Sequence, residues 1–404
     1  MTYSMLNKIK SFLGINKGLT GLLIMVVLVG LGEKMAERFL PLYLTALGAS
    51  LLIPGLLNGL DVFLSAIYSI PGGWLTAKYG YKRSLLLFNL FAILGYVIVI
   101  VIPNWVAVII ASFFFLSWTS LSLPAAMDLI HGELPKNKQV MGVSLHSLVR
   151  RIPMALGPVI GGLLIDKYGI SNGIRLSFLI ALILGVISTI IQQYTLKKDE
   201  AVHVPNTAII SIAKFSPSLK WLLASDILVR FCEQMPYAYI AIWVISTAGG
   251  AHISASQFGI LTAIEMVVAL IVYLPVAYFA DRMSKKPFVL ITYVFFTLFP
   301  LLLWLSTSFS ILIIAFVIRG LKEFGEPTRK SLIMDLSPET QKTIYFGSYY
   351  FYRDVIVTVS ALIGAYLWKN TDPSVTFIVS TIFGLAGVII FAIGGNDKNR
   401  NLVG

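Results

Sequence analysis

The sequence predicts an all-α integral membrane protein, with twelve transmembrane helices arranged as two pseudo-symmetric six-helix bundles. Three observations carry that expectation. Of the 404 residues, 57% are hydrophobic and only 12% are charged, whereas soluble domains carry about 25% charged residues; the mean hydropathy is +0.85. Apolar stretches recur along the whole chain, each close to the ~20 residues that cross a bilayer. A polar connector then divides these stretches into two sets whose sequences align.

In chain order the spans fall at 19–46, 50–76, 84–102, 105–129, 140–165 and 173–195, then at 219–247, 255–280, 288–306, 308–334, 344–367 and 375–394. The first runs too long for a cleavable leader and shows no small-residue cleavage pattern. Residues 196–218 are polar and punctuated by proline, so the expected domains are 1–195, a cytoplasmic linker 196–218, and 219–404. The net charge of +12 then reads as orientation, because Lys and Arg collect on the cytoplasmic side. With the N-terminus inside, inner segments hold Lys8, Lys10 and Lys17, Lys78, Lys82 and Arg83, and on to Arg329, Lys330, Lys398 and Arg400. The outer loops hold Lys167, Arg175 and Lys369. Both termini are therefore expected in the cytoplasm, and no nucleic-acid partner is needed to explain the charge. One cysteine, Cys232, excludes an internal disulfide. The histidines His131, His146, His203 and His252 lack metal-ligand spacing, so no metal is expected.

The halves align over several spans. A shift of 204 places Gly55 over Gly259, Asp61 over Glu265, Pro71 over Pro275 and Lys82 over Lys286. A shift of 203 matches Pro124 with Pro327, and a shift of 202 matches Arg151 with Arg353 and Gly162 with Gly364. Such a near-constant offset marks an internal duplication.

With that duplication, and with the loop Gly73-Trp-Leu-Thr-Ala-Lys-Tyr-Gly-Tyr-Lys-Arg83, the chain resembles the major facilitator superfamily over essentially its whole length. The loop looks like that family's G-x-L-x-D-R-x-G-R-K signature, except that Ala77 stands where the acid is usual. The second half keeps the acid as Asp281-Arg282, followed by Lys285 and Lys286. The resemblance implies conformational latches at Gly73, Lys78, Gly80, Lys82 and Arg83, and at Asp281, Arg282, Lys285 and Lys286. Positive-inside anchoring is the competing reading of the basic residues. In span 5, Gly157-Pro-Val-Ile-Gly-Gly162 is similar to the G-P-x-x-G-G element of proton-coupled exporters, and close helix packing explains the same residues. Span 4 lacks the arginine usual in proton-coupled relatives.

Charges inside the spans are the candidate functional groups, because each costs about 2.5–3.5 kcal/mol at the bilayer centre unless it finds a partner or water. Asp226–Arg230, Arg230–Glu233, Arg319–Glu323 and Lys322–Glu326 have the spacing of pairs on one helix. Asp61, Glu265, Arg150 and Arg151 have no opposite charge on their own span. The resemblance implies that span 2 meets span 11 and span 5 meets span 8, so two bridges are expected, Asp61–Arg353 and Arg151–Glu265. Glu33 and Glu37 lie one turn apart on span 1, beside Lys34 and Arg38. Two carboxylates so placed repel, and one then binds a proton more readily. These two, with Asp61 and Glu265, are the candidate proton-coupling acids. Arg38, Arg150, Arg151, Glu233, Arg319, Glu323 and Arg353 are candidates for cavity contacts or ion pairs.

The expected function is secondary active transport of a small solute by alternating access, coupled to protons and leaning to export, by a monomer in a bacterial inner membrane. No G-x-x-x-x-G-K-[ST] loop occurs, so no nucleotide cofactor is expected, and no catalytic constellation suggests an enzyme. Uptake or exchange of an organic anion at the midplane arginines is the rival transport reading. A non-transporting sensor or scaffold is the remote one.

Overall fold

The structure is a computed structural model that describes residues 16–116, 118–197, 209–246, 250–280 and 284–397. Asp281 and Arg282 therefore lie outside the described residues. The helices are α1 (Lys17–Glu37), α2 (Leu40–Ala46), α3 (Leu52–Tyr79), α4 (Tyr81–Val101), α5 (Trp105–Phe115), α6 (Trp118–Glu133), α7 (Lys136–Val149), α8 (Arg151–Tyr168) and α9 (Ile170–Thr195). After the connector come α10 (Pro217–Tyr237), α11 (Ile240–Ser246), α12 (Ala255–Ala280), α13 (Lys285–Leu305), α14 (Phe309–Leu321), α15 (Glu326–Asp335), α16 (Lys342–Asn370) and α17 (Pro373–Gly394).

Several expected spans are two helices rather than one, and proline explains three of the breaks. A proline removes an N–H and its ring clashes with the carbonyl four residues back. For Pro41, Pro153 and Pro327 that carbonyl belongs to Glu37, Val149 and Glu323. Glu37 ends α1, Val149 ends α7, and Glu323 lies in the turn between α14 and α15. In that turn the amides of Lys322, Glu323 and Phe324 fall back to carbonyls three residues earlier, at 3.3, 3.2 and 2.9 Å.

Ten helical stretches among the described residues are long and apolar enough to cross a membrane. Spans 7 and 10 do not qualify, for a chemical reason: α10 carries Asp226, Arg230 and Glu233, and span 10 is split beside Arg319, Lys322 and Glu323. Outward faces are apolar, with Ile110, Leu163, Ile190, Ile314 and Ile382 each more than half exposed.

By its contacts the chain forms two compact units, Met1–Tyr43 with Ile67–Asn206 and Leu44–Ala66 with Thr207–Gly404. In the first, α1 packs on α8 and α9, and α9 on α4. In the second, α10 packs on α16 and α17, and α17 on α13. The duplication seen in sequence thus recurs as one pairing of helices used twice. It extends to single glycines, with Gly161 rather than the aligned Gly162 taking the place that Gly364 holds in the second half. A side chain at Gly161 would press into the Met35 carbonyl of α1, and one at Gly364 into the Met235 carbonyl of α10. Only the absence of a Cβ lets these helices meet so closely. Within the second unit, Asn58 Nδ2 donates to the Gln234 carbonyl at 3.1 Å, and Tyr239 donates to the Leu51 carbonyl at 2.7 Å.

Candidate functional site

The second unit holds a continuous chain of buried charges of alternating sign. It starts at Arg319 in the last turn of α14, whose guanidinium is 2% exposed and lies 3.1 Å from Glu265 of α12. Lys322 stands 3.5 Å from the same Glu265 oxygen and 2.7 Å from Glu233 of α10. Glu233 accepts from Arg230 at 2.8 Å, and Arg230 lies 3.4 Å from Glu326 and 3.8 Å from Asp226. Asp226 is bonded to Arg329 of α15, with both side chains 1% exposed. Arg329 also donates to Glu326 at 2.7 Å, and Tyr349 donates to Asp226 at 3.0 Å. Arg353 of α16 ends the chain, 3.6 Å from Asp226 and 2.7 Å from Asp354.

The carboxylates Asp226, Glu233, Glu265, Glu326 and Asp354 thus meet the buried cations Arg230, Arg319, Lys322, Arg329 and Arg353, and the exposed Lys330 adds a further contact, 3.6 Å from Glu326. Burying such ions is costly unless each is paired and hydrogen-bonded, and here five helices supply the partners. Aromatic rings cover the guanidinium faces: Arg319 over Phe299 at 4.7 Å, Arg230 over Phe296 at 4.8 Å and Arg353 over Tyr350 at 4.2 Å. These contacts supply cation–π attraction without adding charge.

The first unit carries a smaller cluster where α1 ends. Lys34 lies 3.2 Å from Glu33 and is bonded to Glu37, so one ammonium serves two carboxylates one turn apart. Gly157 and Gly161 of α8 abut α1 at Lys34 and Met35. The G-P-x-x-G-G element therefore positions this cluster through close packing. Arg38 caps α1 and Arg150 caps α7, while Arg151 opens α8. Asp61 lies in α3.

Sequence spacing anticipated Arg230–Glu233, Arg230–Asp226 and Lys34–Glu37. Other expected pairings are replaced. Arg319 turns to Glu265 rather than Glu323, and Lys322 turns to Glu233 and Glu265 rather than Glu326. The proline break at 322–325 removes the helical register on which those i,i+4 pairs depended. Arg353, expected to meet Asp61, faces Asp354 and Asp226. Glu265 lies 3.1 Å from Arg319 and 3.5 Å from Lys322, two partners that the spacing did not indicate. Arg329 is a further correction. Expected in an inner segment, it is instead a central buried member of the network.

Sequence reasoning also missed a correspondence. A shift of 200 places Glu33 over Glu233 and Met35 over Met235. Both glutamates lie one turn before the end of the first half-helix of their span, and a lysine holds each.

Of the expected latch residues, Lys82 donates to the Gln193 and Leu196 carbonyls at 2.9 and 2.7 Å, and Lys286 donates to Ala392 at 2.8 Å. These repeat-related lysines cap the C-termini of α9 and α17, where free carbonyls favour a cation. Lys285 is bonded to Asp335. Lys78 lies over Trp74 at 4.7 Å, Arg83 is exposed, and Gly80 adopts φ +80 before α4. A Cβ at Gly73 would meet nothing within 4 Å.

The family model of the Major Facilitator Superfamily matches residues 22–249 and again 222–401. The chain belongs to that superfamily. It is 24% identical over 380 residues to Multidrug resistance protein MdtG of Escherichia coli O9:H4 (strain HS), covering 90% of each protein. It is 24% identical over 248 residues to the Uncharacterized MFS-type transporter MJ1560 of Methanocaldococcus jannaschii, covering 59% of this chain and 62% of that protein, less than two thirds of its length. Among solved structures, a mutant form of the nucleoside transporter NupG matches with a TM-score of 0.80 at 11% identity, covering 94% of this chain and 100% of that one. A POT family transporter in complex with 5-aminolevulinic acid matches with a TM-score of 0.75 at 15% identity, covering 94% and 96%. This superfamily member therefore has the major facilitator fold, and it is a multi-pass membrane transporter rather than an enzyme.

Proposed function

We propose that the protein is a proton-coupled exporter of a small organic solute, acting by alternating access as a monomer in a bacterial inner membrane with both termini cytoplasmic. The observation that carries this reading is the α1 cluster, in which Lys34 is shared by Glu33 and Glu37. Two carboxylates one turn apart compete for the same ammonium. A proton arriving on either acid would release Lys34 to the other, so loading and unloading a proton can move the ammonium between them. In the buried network of the second unit each carboxylate has at least one cation beside it, so a proton there would leave a buried cation short of its partner. Export is supported by the relative named a multidrug resistance protein, which aligns over 90% of the chain. The expected orientation follows from the positive-inside count, with Arg329 removed from it.

Proteoliposomes with an imposed pH gradient test the reading. Ethidium flux should follow the gradient in the wild type, and Glu33→Gln or Glu37→Gln should uncouple it while leaving gradient-free exchange intact. Gradient-driven flux unchanged in both variants would overturn the assignment. Flux of an organic anion but of no cation would favour uptake or exchange at the arginines instead.

A further inference from the structure

Lys322 occupies an unusual place. It lies in the turn where span 10 is not helical, between α14 and α15, on a four-carbon stem with free rotation. Its ammonium stands 2.7 Å from Glu233 Oε1, 3.5 Å from Glu265 Oε1 and 5.6 Å from the centre of the Phe296 ring. Two buried carboxylates beside an aromatic face are the groups that bind an organic ammonium ion. Neither acid depends on Lys322 alone. Glu233 Oε2 takes Arg230 at 2.8 Å, and Glu265 lies 3.1 Å from Arg319. The lysine side chain is 13% exposed, so its head is not sealed into the site. Arg319 adds a second observation. Its Nη2 is buried with no hydrogen-bond partner, on the guanidinium that shares Glu265 with Lys322, and it remains available to an acceptor atom on a ligand.

We infer that Lys322 is a tethered stand-in for the substrate, and that Glu233, Glu265 and Phe296 form a site for a protonated organic amine carrying an apolar body, with Arg319 placed to receive an acceptor atom where the ligand has one. This rests on the reading of the protein as a carrier of small organic solutes, and it names their chemical class. In the resting site the lysine head neutralises the carboxylates. An arriving amine replaces it, and the lysine returns when the amine leaves. The signature is inverted relative to an ordinary binding residue. Self-occupancy lowers apparent affinity by the fraction of molecules whose site is open. If about one molecule in ten is open, removing the lysine head tightens amine binding about tenfold.

The test is calorimetric titration of the purified full chain in nanodiscs with 2-phenylethylamine, 3-phenylpropionate and 2-phenylethanol, at neutral pH and without any gradient. Lys322→Met should bind the amine about tenfold more tightly than the wild type, Lys322→Arg should match the wild type, and the gain should vanish in Lys322→Met/Glu233→Gln. The acid and the alcohol should show no gain. If Lys322→Met is too unstable for titration, its melting temperature gives the readout, and the amine alone should restore it towards the wild-type value. Equal or weaker amine binding in Lys322→Met, a gain for 3-phenylpropionate, or restoration by all three compounds would overturn the inference. Because binding is read without a gradient, failure here leaves proton coupling standing, and failure of coupling leaves this site standing.

Discussion

Asp226→Asn is the sharpest probe of the buried network. Asp226 is bonded to Arg329, accepts from Tyr349 at 3.0 Å, and lies 3.6 Å from Arg353 and 3.8 Å from Arg230. Removing one member of a buried ion pair costs about 3–5 kcal/mol, because the other charge is left without compensation. Here the abandoned cations keep other acids: Arg329 keeps Glu326 at 2.7 Å, Arg353 keeps Asp354 at 2.7 Å, and Arg230 keeps Glu233 at 2.8 Å. The loss should therefore fall at the lower end, about 3 kcal/mol. Arg329→Met in the same chain removes the surplus guanidinium, so the double variant should be about 1–3 kcal/mol more stable than the two single losses added together. Unfolding in mixed micelles, followed by circular dichroism, measures all four proteins. An Asp226→Asn variant within about 0.5 kcal/mol of wild type, or single losses that simply add, would refute the claim that these charges act as one unit.

The remaining predictions are more local. Gly161→Val and Gly364→Val should each destabilise their bundle by about 1–3 kcal/mol through overpacking, and Gly161→Val should also shift the pH dependence of transport because Gly161 abuts α1 beside Lys34; melting curves and flux against pH check both. Lys82→Met loses two charge-assisted bonds to carbonyls and should cost more than Lys286→Met, whose single bond is exposed. A thermal-shift comparison decides the order. Asp372, which caps α17 by accepting from the Ser374 amide at 2.8 Å, is held below its ordinary value of 3.8 by its hydrogen bonds to Ser374. Its contribution is complete above that value and is lost as pH falls below it, so exchange of the Ser374 amide should quicken in acid, and Asp372→Asn should flatten that response.

Most of the scaffold was legible because a bilayer imposes length and apolarity on every crossing segment. Span positions followed from these alone, and the duplication from residues matched at a near-constant offset. Contacts along one helix were legible too, since Arg230 and Glu233 are one turn apart whatever surrounds them. The site was not, because its decisive contacts join different helices: Arg319 to Glu265, Lys322 to Glu233, and Arg329 to Asp226. Two features of the sequence do bear on it. Pro327 marks the break that frees Lys322 from its helical register, and the shift of 200 sets Glu33 over Glu233. Arg329 was misplaced because a positive-inside count treats every basic residue near a span end alike, although this one is 1% exposed.

The charge load of span 7 has a consequence for synthesis. Each charged residue at the centre of a crossing helix resists insertion by about 2.5–3.5 kcal/mol. Arg230 and Glu233 leave the ribosome together and neutralise each other. Asp226 meets its closest partner, Arg329, only after another 103 residues. At translation rates of about 5–20 residues per second, that interval lasts about 5–20 seconds. For that time α10 is a poor membrane segment, and the insertion machinery or the bundle already made must shelter it until α15 arrives. Span 7 therefore depends on span 10, the other heavily charged span of its half, for a settled place in the membrane.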